Sequence, residues 1–215
     1  MMKRLLALGA LALAGSIGSA EASTITFEDI GVLSGTEVLY NGANDPISGG
    51  FRFDAASHSH IANRVWGTDN GGTSMVVDDV LGADAITVSA LSGDPFALTS
   101  LDISEAHNSA FFTARQVEIT GNLFGGGTVS KTLFLDNNLV NNVFANYFQT
   151  FVFDAGWGSL SSFTLNGAGA LAGGGNYYAI DNVVVDRAVP EPGTLSLLGL
   201  GSAFLFGRRR RTAVR

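Results

Sequence analysis

The chain has 215 residues, a formal charge of −7 and no cysteine, so no disulfide can support it and its stability must come from a core or a bound metal. Seventeen acidic residues but only five basic ones fall between Ser23 and Ala188. A body that acidic repels phosphate backbones and anionic lipid, which argues against nucleic acid as a partner.

The N-terminus reads as an export signal. Lys3 and Arg4 precede an apolar stretch from Leu5 to about Gly18, and Ala20-Glu21-Ala22 places small residues where signal peptidase reads them. Residues 1–22 are therefore expected to be a signal peptide, with Ser23 as the mature start. Residues 23–188 then form one domain, long enough to bury a core.

Within that domain the hydrophobic period is close to two. Short apolar or alternating runs occur at 24–27, 51–54, 61–66, 74–77, 85–89, 96–103, 115–123, 128–135, 147–153, 161–166 and 177–185, each bounded by Gly, Asn, Asp or Ser. In the 115–123 run, Val117 and Ile119 point one way and Glu118 and Thr120 the other, so one face is wet. The 147–153 run carries apolar residues on both faces, which predicts a central strand. No window has helical spacing, and the 28 glycines argue against helices. Many short strands without helical crossovers predict an all-β fold, an antiparallel two-sheet β-sandwich of jelly-roll type, with a closed barrel as the alternative.

Two constellations could carry chemistry. If the terminal strands lie side by side, Glu28 and Asp29 after the first and Asp181 in the last could offer carboxylate oxygens to a hard ion, Ca²⁺. This opening and ending resemble those of bacterial jelly-roll carbohydrate-binding modules, and the resemblance implies a structural calcium. The second constellation is aromatic: Trp66 beside Asp69 and Asn70, with Trp157, Tyr177 and Tyr178. Ring faces stack on sugar C–H bonds while amides and carboxylates take the hydroxyls. His58 and His60 would share a face if both lay on a strand, but no third ligand stands at a diagnostic spacing. The chain has no nucleophile elbow, zincin helix, phosphate loop or cysteine nucleophile, so no residue is assigned a catalytic role. A polysaccharide-active hydrolase built on a pair of carboxylates is the alternative function.

The last stretch, 189–215, has three parts: Val189 with a Pro190-Glu191-Pro192 turn, an apolar run from Leu195 to Phe206, and the block Arg208, Arg209, Arg210, Arg211. The prolines keep the turn extended and accessible. The uncharged run is about fourteen residues, shorter than the roughly twenty of a relaxed spanning helix, and the arginines hold its end on the cytoplasmic side. This layout resembles the PEP-CTERM sorting signal of exported Gram-negative proteins. The resemblance implies cutting near Pro190-Glu191-Pro192 by a membrane protease, an exosortase, after transient inner-membrane association, and delivery to the cell surface or an exopolysaccharide matrix. The sequence thus predicts an exported structural or adhesive protein, non-enzymatic, with exopolysaccharide as a candidate partner.

Overall fold

The computed structural model describes residues 21–40, 44–55, 58–64, 71–77, 85–106, 111–136, 148–170 and 175–187. Residues 1–20 of the predicted signal peptide, the apolar C-terminal segment, and Trp66, Asp69 and Asn70 lie outside these, whereas Glu21 and Ala22, expected to end the signal peptide, are described and pair with the last strand. Among the described residues no helix is long and apolar enough to cross a membrane.

Alternation becomes strand wherever one face finds a core. Phe51, Phe53 and Ala55 are buried while Arg52 and Asp54 between them are exposed. The strands are β1 (Glu21–Ile25), β2 (Thr36–Tyr40), β3 (Ile47–Ser48), β4 (Phe51–Ala55), β5 (Ser59–Asn63), β6 (Thr73–Val77), β7 (Ile86–Ala90), β8 (Phe96–Glu105), β9 (Gln116–Leu123), β10 (Thr128–Phe134), β11 (Gln149–Val152), β12 (Leu160–Ala168) and β13 (Tyr178–Arg187). Short 3₁₀ turns cover Glu28–Ile30 and Ala155–Trp157.

Strand pairing is antiparallel and falls into two runs. In the first, β2-β5-β6-β13-β8 lie in order with β11 beside β8, and β1 shares with β6 one flank of β13. The second is β3-β4-β7-β12-β9-β10. The bridge Leu160↔Phe96 joins them, so the strands curl into two facing layers. In this pairing β2, β3, β10 and β11 each have one neighbouring strand, which makes the fold an open sandwich rather than a closed barrel.

The core between the layers is aromatic. Phe27 meets Phe53 at 4.9 Å, Phe51 meets Phe96 at 5.0 Å, and Phe96 meets Phe163 at 6.1 Å between ring centres. Each such side chain contributes about 1.5–3 kcal/mol by leaving water. Tyr178, fully buried, crosses the sandwich and donates its hydroxyl to the Leu165 carbonyl at 3.1 Å. The first layer is also covered on its outer face. Ile61, Met75, Val77 and Ile180 enter the main core, whereas the alternate residues Ala62, Val76 and Ala179 pack with Ala106 and Tyr177 in a second cluster under Phe112 and Phe148.

Two expectations are corrected. The 147–153 run is an edge strand, β11, paired with β8 alone. Among the described residues of the run only Phe153 is buried, Phe148 and Phe151 are half-buried and Val152 is exposed; the Lys131 ammonium of β10 donates to the Val152 carbonyl at 2.9 Å and lies 5.2 Å from the centre of the Phe153 ring. The strands β2 and β3 had no forecast, because Val38, Leu39 and Ile47 stay exposed and leave no burial pattern to read.

Candidate functional site

The terminal strands do lie side by side: Ser23 faces Val185, Thr24 faces Val184 and Ile25 faces Val183. Continued, that register would carry the chain toward Asp181. Instead Phe27 takes the left-handed conformation, φ 59°, and turns the backbone away. Glu28 then reaches β6, where its carboxylate accepts from the Thr73 N–H at 2.6 Å and the Thr73 hydroxyl at 3.1 Å. Asp29 reaches β3 and accepts from the Ser48 hydroxyl at 2.6 Å and the Gly49 N–H at 3.0 Å. Asp181, buried in β13, accepts from the Asn182 N–H at 2.7 Å and stands across the ladder from Asp102. Asp102 in turn takes the Thr150 hydroxyl at 2.6 Å and the Asn182 amide at 2.8 Å. Among the described residues no three acidic or histidine side chains gather where they could hold a metal. Glu28, Asp29 and Asp181 therefore do not fit a shared calcium site; the first two fasten loops to strands.

The rings are also structural. Tyr178 is fully buried in the main core, and Trp157, packed at 4.8 Å on Phe153, closes that core beneath Leu160. Tyr177 belongs to the second cluster, 5.8 Å from Phe112. These three cannot serve as an exposed stacking platform. His58 is exposed ahead of β5, whereas His60 is buried within it, with Nδ1 3.2 Å from Glu37 of β2, so the two histidines do not share a site.

Electrostatic perturbation is modest. Burial raises the Asp45 carboxyl above its usual range, the Asp54 carboxylate raises it further, and the Arg52 guanidinium at 3.9 Å lowers it in part. Burial likewise raises the Tyr40 hydroxyl.

What the fold does assemble is a pair of chain ends. Glu21 at the start of β1 faces Arg187 at the end of β13. Above them sits the two-residue hairpin between β3 and β4. Gly49 and Gly50 both have positive φ, 56° and 76°, as the tight hairpin of this twist requires. A Cβ on Gly49 would sit 2.8 Å from the Ile25 side chain, and one on Gly50 2.8 Å from the Arg187 guanidinium. Arg187 donates to the Gly49 carbonyl and lies 4.7 Å over the Phe51 ring. The hairpin, held from its other side by Asp29, thus clasps both the first strand and the last. Sequence reasoning passed over Arg187 and this hairpin; the Gly49-Gly50 pair ahead of Phe51-Arg52-Phe53 was the readable signal.

The residue after Arg187 opens a known motif: residues 188–211 match the PEP-CTERM protein-sorting motif. The chain carries a PEP-CTERM sorting signal. It is thereby an exported protein, sorted through the membrane to the cell surface by way of its C-terminus, and the signal implies processing by an exosortase. Val189, Pro190, Glu191, Pro192 and Arg208 to Arg211 fall within the matched residues and outside the described ones. No curated protein matches the chain. Among solved structures it is similar to CBM32-3 from a family 31 glycoside hydrolase from Clostridium perfringens, at 19% identity over 63% of this chain and 88% of that one, with a TM-score of 0.38.

Proposed function

We propose that the sandwich is a non-catalytic display domain, cut from its PEP-CTERM signal near Pro190-Glu191-Pro192 and left at the cell surface or in the extracellular matrix in a structural or adhesive role, with exopolysaccharide as its partner. The observation that carries this reading is the junction itself. The last strand ends at Arg187, clasped against β1 and the Gly49-Gly50 hairpin, and the sorting motif begins at the next residue. A folded body joined to a cleavable signal with almost no spacer is a cargo, and the signal is its address. The acidic side chains support a non-enzymatic role, because Glu28, Asp29 and Asp102 spend their oxygens on loop and strand hydrogen bonds. With Trp157, Tyr177 and Tyr178 buried, sugar contact falls to Trp66, Asp69 and Asn70 and to the connections opposite the chain ends.

Replacing Pro190-Glu191-Pro192 by three alanines should abolish maturation, seen as retention of the precursor mass in the native host. Normal processing of that variant would sink the sorting half of the proposal. For the partner half, the mature protein should leave the cell with purified matrix polysaccharide and bind it in a pull-down. Unchanged localisation in a host lacking that polysaccharide would favour an envelope protein instead.

A further inference from the structure

We infer that the end of the sandwich from which the chain exits is a membrane-contacting surface, used while the uncut precursor is tethered. The inference rests on the reading of the tail as a membrane-seated sorting signal. The connections 49–50, 91–95, 124–127 and 153–159 lie at this end, on which β5 also ends and β6 begins. Three large apolar side chains stand out from it: Ile47 beside the first hairpin, 50% exposed, Leu91, 51%, and Phe124, 57%. Their backbones are fixed, since Leu91 donates its N–H to the Gly50 carbonyl at 3.1 Å and Phe124 to the Ser159 carbonyl at 3.0 Å. All three belong to one layer, β3-β4-β7-β12-β9, so at strand spacing they spread over roughly 20 Å along one edge of the sandwich. Rigid turns that hold Phe and Leu toward solvent have no folding benefit to offer, whereas an interface accepts such side chains.

The length of chain beyond Arg187 says which surface they meet. From Arg187 to Leu195, where the apolar run starts, a fully extended chain covers at most ~28 Å. The polar headgroup layer takes up roughly 5–8 Å of this. Once the run is seated, the exit end is confined close to the bilayer, and a contact too weak to hold a free protein is favoured by tethering. Asp94 and Asp154 on the same connections and the acidity of the whole body oppose anionic lipid, so the fit is to a zwitterionic surface. Cutting at Pro190-Glu191-Pro192 removes the tether, and the body then leaves. The contact would also hold the cleavage segment at membrane level, where an intramembrane protease works.

The absence of native cysteine makes the test direct. Single cysteines at Ser92→Cys and Gly125→Cys on the exit end, and at Asp136→Cys on the opposite end, carry an environment-sensitive fluorophore in the full chain, reconstituted into phosphatidylcholine vesicles with brominated acyl chains. A Cβ at Gly125 meets nothing within 4 Å, so that substitution is tolerated. The expected result is emission at Ser92→Cys and Gly125→Cys quenched several-fold more than at Asp136→Cys, and the difference lost in an added Leu91→Ser/Phe124→Ser background. Equal quenching at both ends, or none, in a chain that floats with the vesicles overturns the contact alone. Failure of the chain to float overturns the contact together with the tail reading on which it rests.

Discussion

At the end where the last strand leaves, short turns at 49–50, 91–95, 124–127 and 153–159 join neighbouring strands, and β5 ends and β6 begins on the same side. At the opposite end the connections run over 41–46, 56–58, 78–85, 106–115, 135–148 and 169–177. The exit end holds the start of β1 and the end of β13, and its turns are bound into the core through Ile25, Phe51 and Arg187. The opposite end includes the longest connection by sequence, 135–148. The end that holds Glu21 and Arg187 is thus pinned to the core, while the longest connection lies at the other.

That contrast can be broken or sharpened. The largest effect is expected from Phe51→Ala, which removes the ring under Arg187 and beside Phe96; denaturant unfolding should show a loss of about 3–5 kcal/mol. Phe134→Ser, at a 69% exposed residue near the opposite end, should stay within about 0.5 kcal/mol of the parent. Comparable losses from the two would dissolve the distinction. An intermediate effect is expected from Gly50→Ala, since a Cβ at positive φ costs about 1–2 kcal/mol. Arg187 can yield to the methyl group, so the same substitution in an Arg187→Ala background should cost nearly as much, and a double-mutant cycle by thermal melting will show it. The smallest effect concerns Asp45. Its raised pKa means that its share of stability is complete below the ordinary carboxylate value and is lost as pH rises through the folded one. Asp45→Asn should therefore gain melting temperature relative to the parent between pH 3 and pH 7, and a constant difference across that range would contradict the assignment.

The alternation of Val117, Glu118 and Ile119 was legible because burial of one face is a local, period-two property, and it appears as read. All eleven forecast runs became strands, since each carries residues that reach one of the two clusters. What the sequence hid was tertiary. An aromatic residue displays its ring but not its direction, so Tyr178 reads equally as a sugar platform and as the core residue it is. Likewise the turn at Phe27 has no glycine to announce it, yet it sends Glu28 and Asp29 to different strands and away from Asp181. The β11 misreading has the same origin, because an exposed Val152 reads in sequence like a buried one.

The position of β13 has a consequence for timing. The final strand lies inside its layer, between β8 on one flank and β1 with β6 on the other, and its pairings span most of the chain. A polypeptide crossing a membrane from its N-terminus delivers this keystone last, so the first layer cannot close until residue 187 has emerged. The layer is therefore completed by the last strand to be delivered, and a chain cut short before β13 would leave β1, β6 and β8 without their common partner.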